Sequence, residues 1–168
     1  MAEAVVGVLI GKLSLVLARE AATFGASLLC KEASALKGLF GEIRKANGEL
    51  ELMKAYLHDL EKFKDSNEII AIFVKKIRDL AFRIEDVVDE FTYKLEDDRH
   101  GSFATKMKKR IKHLKVWRRL AAELRDINAE IEDATKKRDR YAMTGIERRT
   151  NGSHDQLHRL PIKLLHVL

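Results

Sequence analysis

The sequence is poor in the residues that favour disulfide-rich, proline-rich or sheet-based proteins. Its 168 residues include one cysteine and one proline, and aromatic residues make up only 7%. The lone Cys30 cannot form an intramolecular disulfide, and the N-terminus lacks the pattern of a secretory signal, so a reducing, cytoplasmic setting is expected. Few aromatics and 35% charged residues suit long amphipathic helices, which favours an all-α fold.

The sequence also has no charge-free apolar run of about 18 residues, which a helix needs to cross a bilayer. Its most apolar stretch, AVVGVLIGKLSLVLA, contains Lys12 and is followed by Arg19 and Glu20. We therefore expect the chain to be made as a soluble protein.

Catalytic and cofactor-binding patterns are missing as well. Gly7 and Gly11 are one residue too close for a phosphate-binding loop, and Leu13 stands where Ser or Thr would bind Mg²⁺. His154 and His158 have helical spacing, but no Glu lies between them and no third ligand accompanies them. We expect no enzymatic activity, no cofactor and no metal in this chain.

Hydrophobic periodicity predicts four amphipathic helices joined by short loops. They cover residues 3–28, 33–63, 66–96 and 103–141, and the first is apolar almost all round. Asp65, followed three residues later by Glu68, forms a predicted capping box for the third helix. The simplest architecture is an antiparallel four-helix bundle. Its predicted core includes Ile77, Leu80, Ile84, Phe91 and Trp117.

The predicted domain organisation is one helical domain over residues 1–143, followed by a tail. Residues 144–168 contain two glycines and the single proline, and they lack a long apolar stripe. This segment is predicted to be a linker or tail, partly disordered, whose apolar end could mark a truncation.

Charge is divided unevenly along the chain, which has a net charge of +6. The first 98 residues carry an excess of acidic groups, whereas residues 99–150 carry an excess of basic ones. Such a division fits a bundle whose helices attract each other, although a basic protein can also bind nucleic acid.

The segment RIEDVVDEF holds four carboxylates in six residues of the third predicted helix. A helical wheel separates this segment into an apolar side and an acidic side. The apolar side comprises Ile84, Val87, Val88 and Phe91, and the acidic side comprises Glu85, Asp86, Asp89 and Glu90.

The acidic side is either an ordinary solvated face or a docking surface for basic groups. Carboxylates one turn apart repel each other by a few tenths of a kcal/mol in an isolated helix. Arginine or lysine from another element would relieve that repulsion. Candidates within the chain are Arg118, Arg119 and Arg125.

Two segments together resemble a known family. RIEDVVDEF resembles the EDVID motif of the N-terminal coiled-coil (Rx-type) domain of plant nucleotide-binding leucine-rich-repeat immune receptors. MAEAVVGVLIGKLSLVLAREA is similar to the N-terminal MADA motif of a subset of those receptors, although Gly7 and Val8 replace its usual Ser and Phe. The matching positions are Met1, Ala2, Ala4, Val6, Lys12, Leu13, Leu17 and Glu20. The resemblance extends over about residues 1–143.

The resemblance implies a signalling domain that is held inactive in a resting receptor. The acidic motif would dock on the nucleotide-binding and leucine-rich-repeat regions of the same receptor. On activation the domain would self-associate and trigger hypersensitive cell death, with helper receptors or other host proteins as further partners. The implied docking residues are Glu85, Asp86, Val87, Val88, Asp89 and Glu90.

The resemblance further implies that the first helix inserts into the plasma membrane as part of a cation channel. The residues implied for insertion and oligomerisation are Val6, Ile10, Leu13 and Leu17, with Glu3 and Glu20 as the acidic positions. ADP and ATP would bind only to a nucleotide-binding domain that this chain lacks. The chain is therefore expected to be an N-terminal fragment or a truncated product.

Two alternatives stay open from the sequence. The segment KMKKRIKHLKVWRR, with Trp117, could belong to a basic helical module that binds nucleic acid. The seam from Leu36 to Leu60 could instead pair two chains as a structural coiled-coil dimer.

Overall fold

All regular secondary structure in the described part of the chain is α-helical. The computed structural model describes residues 1–24, 30–62, 64–65, 67–97 and 112–137, without the side chains of Cys30 and Asp97. The helices are α1 (Ala2–Ala18), α2 (Glu20–Phe24), α3 (Cys30–Leu60), α4 (Glu68–Asp97) and the helical residues 112–137, here called α5. The prediction of an all-α helical bundle is confirmed. The predicted start of the fourth helix and the predicted tail, which includes His154 and His158, lie outside the described residues.

The chain divides into two compact units. The first comprises Met1–Glu132 and contains α1 to α4 together with α5 residues up to Glu132. The second comprises Asp133–Leu168, of which residues 133–137 are described. They are helical, and Lys137 forms an ion pair with Asp133 one turn earlier, at 2.8 Å.

The first helix ends ten residues earlier than its sequence pattern predicts. At Arg19 the backbone has φ −86° and ψ −5°, and its N–H bonds to the carbonyl of Val16 at 3.1 Å. This bond spans three residues and therefore tightens the last turn. The short helix α2 follows and buries none of its five residues. The predicted single helix over residues 3–28 is thus interrupted at Arg19, where the apolar stripe has already ended.

The core of the first unit follows the apolar stripes of its helices. α1 packs against both α3 and α4. The buried stripe of α3 repeats at three- and four-residue intervals and consists of Leu36, Leu39, Phe40, Ile43, Ala46, Leu50, Met53 and Leu57. α4 has a similar stripe, and every core residue predicted from the sequence (Ile77, Leu80, Ile84, Phe91 and Trp117) is buried. Such spacing places all members of a stripe on one helix face.

A row of aromatic rings connects four helices. Phe24 of α2 lies 5.9 Å from Phe40 of α3, which meets Phe91 of α4 edge to face at 5.4 Å. Phe91 in turn meets Trp117 of α5 edge to face at 5.2 Å. Edge-to-face contacts align the positive ring edge with the negative ring face and stabilise beyond simple burial. Phe91 is therefore the central member of the row.

One polar side chain caps a helix, and another connects two helices. The Asn67 side chain caps α4, because its Oδ1 accepts hydrogen bonds from the N–H groups of Ile69 at 3.0 Å and Ile70 at 3.3 Å. The cap is therefore Asn67, two residues after the predicted Asp65. Between α3 and α5, the fully buried Asn128 donates through Nδ2 to both the carbonyl and the carboxylate of Glu42, each at 3.1 Å.

The aromatic row generates a stability prediction. Phe91→Ala should lower the free energy of unfolding by about 3–5 kcal/mol, because it removes a buried ring and leaves a cavity between Phe40 and Trp117. Tyr93, two residues later on α4, is exposed, and Tyr93→Ala should change the same quantity by less than about 0.5 kcal/mol. Urea denaturation followed by circular dichroism measures both. Equal effects of the two substitutions would contradict the role of the row.

Candidate functional site

The first helix presents two apolar faces. Its inner face is buried in the bundle and consists of Ala2, Val6, Leu9, Leu13 and Val16. Its outer face is exposed and consists of Ala4, Val8, Gly11, Leu15 and Ala18, with the uncharged polar side chain of Ser14 exposed beside them. The exposed fraction is 71% for Val8 and 69% for Leu15. Glu3 and Lys12 are the only charged residues in α1, so both faces are free of charge.

The residues predicted to take part in membrane insertion differ in how deeply they are buried. Val6 and Leu13 are fully buried, whereas Ile10 and Leu17 are half-buried. The most exposed large side chains of the helix, Val8 and Leu15, were not among the predicted set. The sequence could not separate the faces, because the helix is apolar all round and its periodicity is weak.

The N-terminal end of α1 is capped by the carboxylate of Glu61, the residue that follows α3. The side chain of Glu61 accepts hydrogen bonds from the N–H groups of Ala2 and Glu3, the latter at 3.2 Å. It also lies 2.6 Å from the amino group of Met1. Burial raises the pKa of Glu61, but these hydrogen bonds and the adjacent ammonium outweigh burial and lower it below 4.5. An anion here satisfies the unpaired N–H groups and the positive end of the helix dipole.

The predicted acidic positions of the first helical segment also pair with α3. The Glu3 carboxylate lies 3.1 Å from Nδ1 of His58. Glu20, the first residue of α2, accepts a hydrogen bond from Arg44 at 2.5 Å. In the bundle, both predicted acidic positions are therefore partners of basic groups on α3.

The acidic motif of α4 divides as the helical wheel predicts. Ile84, Val87, Val88 and Phe91 are buried, and none of the four carboxylates is buried. We keep the name acidic motif for Glu85, Asp86, Asp89 and Glu90. Each of these carboxylates lies near the helix surface, where it can meet a cation from another element or from solvent.

The main internal partner of the acidic motif is Lys12 of α1. Its Nζ lies 3.1 Å from Oε1 of Glu85 and also contacts Oδ1 of Asp89. Partial burial lowers the pKa of Lys12, but hydrogen bonds to Asp89 and Glu85 and the charges of both outweigh it, so the pKa lies above 10.5. One ammonium thus bridges two carboxylates that are one helical turn apart.

The three arginines proposed from the sequence as partners of the acidic motif differ in what they contact. Arg119 contacts Glu90 at 2.5 Å, and this hydrogen bond raises the pKa of Arg119. Arg125 instead pairs with Glu42 of α3 at 3.2 Å. Arg118 is exposed and forms no ion pair within the described residues, and the same holds for Asp86. Lys12 was not foreseen, because it lies 73 residues before Glu85 and its spacing in the sequence gives no signal.

Other kinds of site are absent from the described residues. No cluster of His, Cys, Asp or Glu in that part of the chain could hold a metal ion. None of the described helices is both long enough and apolar enough to cross a membrane.

Comparison with known proteins identifies the family. Residues 5–115 match the Rx N-terminal domain family, and the chain belongs to that family. Three relatives are disease resistance proteins: RPM1 of Arabidopsis thaliana (33% identical over 68% of this chain), Pik-2 of Oryza sativa subsp. japonica (27% over 72%) and RPP13 of Arabidopsis thaliana (25% over 75%). The matched regions cover 13%, 12% and 15% of these relatives, respectively. No solved structure is significantly similar to the chain. The resemblance to plant immune receptors is confirmed.

The cap at Glu61 generates a pH-dependent prediction. Glu61→Gln should lower the free energy of unfolding by about 1 kcal/mol at pH 7, because a neutral amide stabilises the helix terminus less than a carboxylate. The pKa of Glu61 is lower in the folded than in the unfolded state, so its contribution is present above pH 4.5 and is lost as the pH falls through the folded-state pKa. The difference between variant and wild type should therefore shrink in acid.

Glu49 provides the control for this prediction, since it lies on α3, the helix that precedes Glu61, and forms no ion pair within the described residues. Glu49→Gln should change the free energy of unfolding by less than about 0.5 kcal/mol. Urea denaturation over a series of pH values measures all three proteins. A deficit of Glu61→Gln that is constant from neutral to acidic pH would contradict the cap.

Proposed function

We propose that this chain is the N-terminal signalling domain of a plant disease resistance protein, and that α1 is the element that leaves the bundle on activation. The observation that carries the proposal is the uncharged outer face of α1, from Ala4 to Ala18. Most surface helices expose charged residues on their solvent side. A helix that exposes Val8 and Leu15 while burying Val6 and Leu13 is apolar enough to move into a second apolar environment.

The rest of the proposed mechanism follows the family resemblance. In the resting protein, the acidic motif docks on the nucleotide-binding and leucine-rich-repeat regions of the same receptor. ADP or ATP binds only to the nucleotide-binding domain, outside this chain. After activation, several copies associate, and their first helices enter the plasma membrane as a cation channel that triggers hypersensitive cell death. The domain would thus be cytoplasmic at rest and membrane-associated when active, with helper receptors as further partners. The domain itself has no catalytic role and binds no cofactor.

A membrane role for α1 is compatible with its length. The 17 residues of α1 would extend about 25 Å as an α-helix, which is somewhat less than the thickness of a hydrocarbon core. A single copy is therefore short for a stable span. A helix shorter than the hydrocarbon core can be accommodated by oligomerisation. This length favours insertion as an assembly.

Two observations weaken the alternatives. Trp117 is fully buried, so it cannot stack on an exposed base, as single-stranded nucleic-acid binding would require. The α3 seam, including Leu36, Ile43, Leu50 and Leu57, is buried within one chain. A second chain is therefore not needed to cover it.

The outer face of α1 provides a direct test. The double variant Val8→Glu/Leu15→Glu, made in the complete chain and expressed in leaf tissue, should remain folded but lose the ability to cause cell death. Both side chains are exposed in the bundle, so charge is tolerated there. A carboxylate in the hydrocarbon core costs several kcal/mol, which opposes insertion. Leu13→Glu is less informative, because Leu13 is fully buried and a charge there would also disrupt the bundle.

The matched control is Leu52→Glu/Tyr56→Glu, which adds the same charge to two exposed positions of α3. This control should fold and cause cell death like the wild type. Thermal unfolding of the purified proteins verifies folding, and immunoblotting verifies equal accumulation in leaf tissue. Undiminished cell death from the α1 double variant would contradict insertion of the first helix.

A further inference from the structure

We propose that a basic surface at one end of the bundle attaches the chain to anionic lipid headgroups, and that this attachment brings α1 to the membrane before α1 inserts. The basic surface consists of Lys31, Lys94, Lys112, Lys115 and Arg118. The inference rests on the proposed function, because it takes a membrane as the target of the domain. It adds the residues that make the first contact and the class of lipid that they bind.

Three of these cations lie on the outward side of the first part of α5. Lys112, Lys115 and Arg118 recur at every third residue, so they lie within about 120° of one another around the helix. All three are exposed, whereas Trp117 is buried. The stretch from Lys112 to Ala122 contains no acidic residue. This part of α5 therefore presents only positive charge to solvent.

Lys94 extends the basic surface onto α4. Phe91 of α4 contacts Trp117 of α5, so the end of α4 lies beside the beginning of α5. Lys94 follows Phe91 by about one helical turn and is half-buried. Its Nζ lies 5.5 Å from the ring centre of Tyr93, whose side chain is 68% exposed. An exposed aromatic ring thus borders the cations of this surface.

Lys31 adds a cation from α3. Glu42 of α3 pairs with Arg125 of α5, and further along both helices Lys45 pairs with Glu132 at 3.7 Å. The two helices therefore run in the same direction. Lys31 is the second residue of α3 and is exposed. It consequently lies at the end of the bundle where α5 begins.

The charge of the basic surface is not cancelled by its neighbours. The nearby carboxylates of Glu90 and Glu96 on α4 are already paired, with Arg119 at 2.5 Å and with Arg19 at 3.6 Å. None of the five cations of the basic surface forms an ion pair within the described residues. The surface can therefore gain free energy by neutralisation with an external anion.

An anionic membrane fits the basic surface better than a nucleic acid does. Four of its five cations are lysines, whose ammonium groups are compact point charges, whereas arginine is preferred for recognising nucleic-acid phosphates. Tyr93, at its edge, is amphipathic, and tyrosine is enriched at the headgroup level of membranes. Trp117 is fully buried and cannot stack on a base.

The basic surface lies where α1 ends. Arg19, the residue that follows α1, pairs with Glu96 of α4, two residues after Lys94. A membrane held at Lys94 is therefore close to the end of α1. Attraction between surface cations and anionic lipids weakens beyond a Debye length. The attachment is thus peripheral and reversible, which suits a step that precedes insertion.

The first experiment measures attachment of the complete chain to vesicles by cosedimentation. At low salt the chain should bind vesicles of phosphatidylcholine and phosphatidylserine in equal parts, but not vesicles of phosphatidylcholine alone. Lys112→Gln/Lys115→Gln/Arg118→Gln should lower the partition coefficient by about tenfold or more, since each cation near an anionic surface contributes roughly fivefold. Concentrated salt should release the wild-type chain, because it screens the attraction.

The matched control is Lys54→Gln/Lys64→Gln/Lys76→Gln. It removes the same charge from cations near the end of α3 and the beginning of α4 that form no ion pair within the part of the chain that the structure describes. This variant should bind the mixed vesicles within about twofold of the wild type. Thermal unfolding verifies that both triple variants fold. Equal losses in the two variants, or undiminished binding of the α5 variant, would overturn the proposal.

The second experiment distinguishes lipid from nucleic acid. Duplex DNA of mixed sequence is added to the vesicle-bound chain at the same total phosphate concentration as the phosphatidylserine. The chain should stay on the vesicles. Displacement by the duplex would identify nucleic acid as the preferred anion and would contradict the assignment to a membrane.

These outcomes are separate from a failure of the proposed function. If Val8→Glu/Leu15→Glu still causes cell death while vesicle binding depends on the basic surface, then insertion is wrong but attachment stands. If the same double variant abolishes cell death while the wild-type chain ignores phosphatidylserine, then attachment is wrong and the proposed function stands.

Discussion

The packing of an almost uncharged helix, α1, against α3 and α4 is the constraint on which the rest of the structure depends. Burying Val6, Leu9 and Leu13 removes apolar surface from water, which is the main favourable term in folding. The same composition leaves Val8 and Leu15 in contact with solvent. The bundle therefore buries only one face of its first helix, and the other face is available to a second apolar environment.

Few polar groups hold α1 in position, and they come from α3, from Glu61 just after it, and from α4. Glu61, after α3, caps its N-terminal end, and Glu85 and Asp89 of α4 bind Lys12 near its middle. The aromatic row of Phe24, Phe40, Phe91 and Trp117 connects the other helices without involving α1. Loss of α1 would expose apolar surface on α3 and α4 but leave these ring contacts intact, which suits a helix that moves while its support persists.

The sequence specifies some of these features more clearly than others. The division of the acidic motif could be predicted, because a clean apolar stripe through Ile84 and Phe91 fixes which side of α4 faces the core. The end of α1 at Ala18 could not be predicted, because the almost uniformly apolar residues before it carry little periodic signal. The sequence predicts the N-cap of α4 at Asp65, two residues before the observed Asn67, because both are good capping residues. The contact between Lys12 and the motif depends on tertiary packing, which local patterns do not encode.

The central claim is that α1 can detach while the remaining helices stay folded. Native-state hydrogen exchange of the wild-type chain, measured amide by amide in low concentrations of guanidinium chloride, tests it most directly. The account predicts that α1 amides exchange through a partial opening whose free energy and denaturant dependence are both smaller than those of the buried α3 and α4 amides. Exchange of α1, α3 and α4 through one common global unfolding reaction would contradict it.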